Sequence, residues 1–193
     1  MIPPLVFLRH GETDWNVEGR LQGQRDIPLN ERGRGQAKRN GAAIIAAMPE
    51  VADYDFVASP LGRSRETMEI ARLAMGLDPS AYHIDDRLKE ISFGAWEGFT
   101  IAELREGHGA LVAERERDKW RFLPPDGESY GILLERIDAW LATLTRPTFA
   151  VSHGGVGRVV RARLLGVDRA RAVADEFPQD RLLVIEDGAG RWL

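Results

Sequence analysis

The chain has 193 residues, of which 44% are hydrophobic and 29% charged, with 26 Lys and Arg against 30 Asp and Glu. This is the composition of an ordinary globular protein with a single core, and a net charge of −4 excludes a general nucleic-acid binder. There is no cysteine, which removes disulfides, thiolate nucleophiles and Cys-based metal sites and fits a cytoplasmic location.

The apolar run Leu5-Val6-Phe7-Leu8 reads as a buried strand. It runs into Arg9-His10-Gly11, so a guanidinium and an imidazole sit at its C-terminal end, and Gly11 permits a sharp turn. Residues 19–30 are rich in Gly, Gln and Asp and read as a loop. Asn30-Glu31 then opens a helix whose apolar face is Ala37, Gly41, Ile44, Ile45 and Met48.

Phe56-Val57-Ala58 is a short buried strand stopped by Ser59-Pro60, and a helix follows over residues 62–75. Residues 82–88 are expected to form another strand, with a loop beyond it. Residues 100–120 are strongly charged and helical, an excursion across one end of the sheet, expected to be mobile. Its Trp120 and Phe122 are candidates for a lid or a homodimer contact.

After the turn Pro124-Pro125-Asp126-Gly127, a helix begins at Ser129 with Leu133, Ile137, Trp140, Leu141 and Leu144 on one face. Residues 148–152 form the next strand, which leads through His153-Gly154-Gly155 into another helix. The tail is expected to be a hairpin at a sheet edge, turning at Asp187-Gly188. Alternating strands and helices predict an α/β fold, a three-layer α/β/α sandwich on a mainly parallel sheet, in one domain spanning residues 1–193. No apolar run is long enough to span a bilayer, and no basic segment precedes an apolar one at the N-terminus, so neither an anchor nor a secretory signal is expected.

Three segments share one pattern of apolar strand, polar residue and turn into a helix: Arg9-His10-Gly11, Ser59-Pro60-Leu61-Gly62-Arg63, and Ser152-His153-Gly154-Gly155. In a parallel sheet their ends meet on one edge, where ligands of open α/β sheets bind. Two His and two Arg converge there, among helix N-termini that favour anions. Arg87-Leu88-Lys89-Glu90 adds a carboxylate. Any one of these residues alone has a plain structural reading, but together they allow phosphoryl transfer. One His attacks phosphorus in line while guanidinium forks neutralise the oxygens. The same cations keep that His neutral, and Glu90 protonates the leaving alkoxide. The four His show no metal-ligand spacing.

The segment Arg9-His10-Gly11-Glu12-Thr13-Asp14-Trp15-Asn16 resembles the signature of the histidine phosphatase superfamily, also called phosphoglycerate mutase-like. The resemblance continues through Gly19 to Gly23, Asp26-Ile27-Pro28-Leu29, Ser59 to Arg63, Leu88 to Gly98, Gly127-Glu128-Ser129 and Ser152 to Gly155. It implies the phosphoglycerate mutase-like fold. It also implies that His10 is the phosphorylated nucleophile, that Arg9, Arg63 and His153 complete the phosphate pocket, and that Glu90 is the proton donor. Asn16, Gln22, Gly23 and Gly154 are implied as substrate-binding residues, with no metal and no cofactor. Ser64 and Glu66 depart from the family pattern at positions expected to carry no chemistry.

Residues 99–152 separate the glutamate motif from the second His motif, a span that resembles the compact phosphatase branch more than the mutases. The expected activity is hydrolysis of small phosphate monoesters, and the expected partner is a small phosphorylated metabolite, with neither nucleic acid nor membrane. A cofactor-dependent phosphoglycerate mutase is the alternative. A silent phosphate-ligand or protein-binding module is disfavoured because the whole catalytic set is present. Trp96, Trp120, Arg121, Phe122 and Arg25 are candidate specificity contacts.

Overall fold

The computed structural model describes residues 2–193. In chain order the elements are β1 (Leu5–Arg9), α1 (Asp14–Val17), α2 (Glu31–Ala47), β2 (Asp55–Ala58), α3 (Gly62–Ala74), β3 (His83–Ile84) and α4 (Ile101–Arg117). They continue with α5 (Tyr130–Leu141), β4 (Thr148–Ser152), α6 (Gly154–Leu165), α7 (Arg169–Ala174), β5 (Leu182–Glu186) and β6 (Ala189–Trp192). The strands form one sheet in the order β3-β2-β4-β1-β5-β6. The first four of that order run parallel, and β5 and β6 close the far edge antiparallel.

The central strands carry apolar residues on both faces, as a sheet covered by helices on both sides requires. One face packs Val6, Leu8, Phe149 and Val151 against Ile44 and Met48 at the end of α2 and Met68 and Ala71 of α3. The other packs Leu5, Phe7 and Ala150 against Leu133, Ile137 and Trp140 of α5 and Val156, Val159 and Val160 of α6. This is the expected three-layer sandwich. Asn30 caps α2 by accepting from Gly33 N at 2.9 Å, and Ser129 caps α5 by accepting from Ile132 N at 3.2 Å, as expected of such N-terminal residues.

Two expectations are corrected. The strand over residues 82–88 shrinks to His83–Ile84, which pair with Val57 and Ala58. The Asp85 carboxylate then accepts from Arg87 N at 2.9 Å and grips its guanidinium at 2.6 Å, turning the chain into a 3-10 turn. A short polar side chain that bonds its own backbone two residues on competes with the ladder in this way. The excursion is helical but no loose flap. Trp96, Leu104, Val112 and Phe122 form a buried cluster beneath it, and Arg20 of the preceding loop holds Glu103 at 2.9 Å and the Gly98 carbonyl at 2.8 Å.

Trp120 and Phe122, the residues expected in a lid or a homodimer contact, are buried within the chain. Among the described residues, no helix is long and apolar enough to cross a membrane.

Candidate active site

Register places the site. Arg9 at the end of β1 lies beside Ser152 at the end of β4, and Ala58 at the end of β2 lies beside Val151. One residue further, the His10 amide bonds Ser152 O and the Ser59 amide bonds Val151 O. His10, Ser59 and His153 therefore leave the sheet side by side on one edge.

The residues singled out by sequence line a cavity of about 140 Å³: Arg9, His10, Asn16, Gln22, Gly23, Arg63, Glu90 and Gly154. His153 does not line it. This ring is fully buried behind His10, edge-on to it with centroids 5.2 Å apart. A larger cleft of about 580 Å³ lies between the end of α4 and α7 and contains none of the predicted catalytic residues.

His10 has one tautomer open to it. Its Nδ1 lies 2.7 Å from the Gly11 carbonyl, which can only accept, so the proton sits on Nδ1 and Nε2 carries the free lone pair. Burial, reinforced by the charges of Arg63 and Arg9, holds its pKa well below the usual imidazole value. The ring is neutral at pH 7. His153 is likewise depressed, by burial and then by Arg63. Its Nε2 lies 2.7 Å from Ser59 Oγ and 3.3 Å from Ser64 Oγ.

Five buried side-chain polar atoms have no partner among the described residues. Four of them belong to this site: Arg9 Nε, Arg63 Nε, His153 Nδ1 and Gln22 Oε1. Each orphaned group costs about 1–3 kcal/mol, so the two unpaired guanidinium nitrogens on residues that line the cavity mark a place built to receive oxygen atoms. Other nitrogens of each guanidinium are tied to backbone: Arg9 Nη1 to Phe177 O at 2.8 Å, Arg63 Nη2 to Gly23 O at 2.8 Å. Burial lowers the Arg9 pKa to about 10, with Arg158 the next cause, and both arginines remain cations at neutral pH.

Glu90 stands at the N-terminus of α6, where its oxygens accept from Gly155 N at 3.0 and 3.1 Å and from Ile91 N at 2.9 Å. Gly155 permits this approach, since a Cβ there would collide with the carboxylate. Asn16 Oδ1 is occupied by Thr13 N and by Gln179 Nε2, leaving its amide nitrogen for the cavity.

Several contributors were not singled out by sequence. Gln179 bonds the His10 carbonyl at 3.1 Å. Ser64, expected to be chemically silent, touches His153, whereas Glu66 pairs with Arg34 at 2.6 Å away from the site. Arg136 donates to the carbonyls of Lys89 and Glu90 at 2.7 and 3.0 Å and is held by Glu128 at 3.0 Å, which makes it a positioning residue for Glu90. Tyr130 and Arg158 line the cavity. Only Glu128 had a signal, through the Gly127-Glu128-Ser129 motif. Of the candidate specificity contacts, Trp96, Trp120 and Phe122 are buried, the Arg121 side chain is 86% exposed, and Arg25 contributes its carbonyl to Arg63 at 2.5 Å. Among the described residues no group of three or more His, Cys, Asp or Glu is placed to hold a metal ion.

The depressed histidines carry a stability signature. Above about pH 6.5 both folded and unfolded chains hold them neutral. Below it the unfolded chain takes up protons that the folded chain refuses, so stability falls by up to about 1.4 kcal/mol per pH unit for each ring. Urea unfolding between pH 7 and pH 5 is expected to show this decline, and His10→Ala is expected to make it shallower. An unchanged slope would contradict the buried, neutral His10.

The fold and this edge of paired histidines and arginines define a phosphoryl-transfer enzyme. The chain belongs to the histidine phosphatase superfamily (branch 1), whose family model matches residues 5–192. It is 34% identical over 175 residues to the glucosyl-3-phosphoglycerate phosphatase of Mycobacterium tuberculosis, covering 83% of this chain and 74% of that protein. It is 36% identical over 156 residues to a probable phosphoglycerate mutase, GpmB, of Salmonella arizonae, covering 78% of this chain and 69% of that protein. Among solved structures, a putative alpha-ribazole-5'-P phosphatase from Escherichia coli superposes with a TM-score of 0.81 at 25% identity, covering all of this chain and 95% of that one.

Proposed function

We propose that this phosphatase hydrolyses small phosphate monoesters through a phosphohistidine on His10, with Glu90 as proton donor. The observation that carries the reading is the free Nε2 of a neutral His10 in one cavity with Arg9 and Arg63, whose Nε atoms have no partner. The phosphoryl oxygens take the guanidinium nitrogens of Arg9 and Arg63, with His153 supporting the pocket from behind, and Nε2 attacks phosphorus in line. As the N–P bond forms, the ester P–O bond breaks and Glu90 gives its proton to the departing alkoxide. Water then attacks phosphorus, returns a proton to Glu90, and releases phosphate and neutral His10. Charge on the transferring group is met by the guanidinium groups of Arg9 and Arg63, so the proposed reaction calls for no metal ion.

Relatives that carry the names of phosphatases for glucosyl-3-phosphoglycerate and alpha-ribazole-5'-P support hydrolysis of a small phosphorylated metabolite. One named as a probable phosphoglycerate mutase keeps phosphoryl transfer between positions of one substrate as the second reading. Hydrolysis is favoured by the short span between Glu90 and His153, which leaves little chain to seal a phosphoenzyme from water. A cytoplasmic setting is part of the same proposal and rests on the cysteine-free composition.

The deciding experiment supplies 3-phosphoglycerate with catalytic 2,3-bisphosphoglycerate, in chelator. The expected result is release of inorganic phosphate. Rapid formation of 2-phosphoglycerate with negligible free phosphate would establish the mutase, and loss of activity in EDTA restored by a divalent ion would overturn the metal-free mechanism.

A further inference from the structure

The segment between α7 and β5, residues 175–181, returns to the catalytic edge and grips three site residues. The Phe177 carbonyl accepts from Arg9 Nη1 at 2.8 Å. Gln179 Nε2 donates to the His10 carbonyl at 3.1 Å and to Asn16 Oδ1 at 3.0 Å. The segment is itself anchored. The Phe177 ring is fully buried, edge-on to Phe7 and Trp192 with centroids 5.4 and 5.0 Å apart, and a Cβ on Gly157 would collide with it. The Gln179 carbonyl accepts from Asn40 Nδ2 of α2 at 2.9 Å.

Main-chain groups settle the orientation of both amides. The His10 carbonyl can only accept, so the end of Gln179 that faces it is the NH2, whose two hydrogens serve the two oxygens. Thr13 N, 3.1 Å from Asn16 Oδ1, can only donate. Asn16 therefore turns its oxygen to Thr13 and Gln179, and its nitrogen is left for the cavity that it lines. A donor at that place suits a phosphoryl oxygen, whereas an acceptor would repel it.

The Asn16 side chain has few other ties. It stands on α1, a single turn with no buried residue, and within that turn it bonds Thr13, the N-cap. Among the described residues, its one side-chain partner beyond the turn is Gln179. A turn without apolar packing opens easily, so the Gln179 amide is the tie between Asn16 and the carbonyl of the nucleophile.

We propose that Gln179 is a positioning residue for phosphate binding: it keeps the Asn16 amide nitrogen aimed into the cavity and pins the main chain of His10 beside it. This rests on the phosphatase reading of the cavity and adds to it a residue that does not itself line the cavity.

The test compares two variants of nearly the same size as Gln. Gln179→Met removes both donors. Gln179→Glu sets a carboxylate against the His10 carbonyl and Asn16 Oδ1, which are also acceptors, and Asn16 relieves that contact only by turning its nitrogen away from the cavity. Binding of inorganic phosphate, read by titration calorimetry, is expected to weaken about tenfold in Gln179→Met, the scale of one charge-assisted hydrogen bond, and further in Gln179→Glu. Thermal melting is the folding control. Asn16→Ala is expected to weaken phosphate binding by a similar factor. Adding Gln179→Met to it is expected to cost less than about threefold more, because the two residues act through one donor. A residue that only filled space would show neither the greater loss in the carboxylate variant nor the coupling to Asn16. Phosphate binding within about twofold of wild type in both Gln179 variants would overturn the proposal, as would losses that multiply in the double variant. Failure of the wild type to hydrolyse an aryl phosphate is a separate result: it would sink the phosphatase reading and leave the binding comparison readable.

Discussion

Replacing His10 by Ala is expected to reduce phosphate release by about 10⁴-fold or more, the scale on which removal of a covalent nucleophile is felt. No neighbouring group can substitute. The only other imidazole at this edge, His153, lies behind His10 and is committed through Nε2 to Ser59. The variant removes one buried ring whose own hydrogen bond is to the adjacent residue, so the sheet and both flanking cores remain. Steady-state phosphate release on an aryl phosphate, with far-ultraviolet circular dichroism as the folding control, measures the effect. A folded His10→Ala protein that kept a tenth of the wild-type rate would remove His10 from the mechanism.

The second large effect belongs to Glu90 and depends on the leaving group. A carboxyl that protonates a departing alkoxide matters most when the alkoxide is strongly basic. Glu90→Gln is therefore expected to slow an alkyl phosphate by about 10²-fold or more and an activated aryl phosphate far less. The amide also fits the space at the α6 N-terminus, so its oxygen can still accept from Gly155 N. This restricts the lesion to proton delivery. Equal losses on the two substrates would assign Glu90 a structural role, holding the N-terminus of α6.

The sequence made the catalytic edge legible because its grammar is local. Each of β1, β2 and β4 is an apolar run that ends at a polar residue and turns into a loop or helix, and parallel pairing brings such ends together without further information. The arginines and the histidines followed from that, Glu90 came from the polar residues after an expected strand that proves shorter, and the family motifs supplied Asn16, Gln22, Gly23 and Gly154. What the sequence hid was contact between distant segments. Gln179 reaches His10 from 169 positions away, and Arg136 clamps the Glu90 backbone from 46 positions away; neither sits in a motif.

Arg158 sits in no motif, and only the fold brings it to the cavity wall. The charged appearance of the excursion concealed the apolar spacing of Leu104 and Val112, which close over Trp96 and Phe122. Short-range competition explains the shortened β3. The Asp85 turn outbid strand extension, and that contest is decided by side-chain geometry more than by composition.

The central claim is a covalent bond between phosphorus and the Nε2 of His10. Mixing enzyme with an aryl phosphate, quenching within the first turnover in alkali and mapping the phosphorylated peptide by mass spectrometry tests it directly. The account predicts phosphate on His10, stable to base, lost in acid, and absent from His10→Ala. Phosphate on another residue, or full turnover with no phosphoenzyme at any quench time and direct attack of water on the ester, would contradict it.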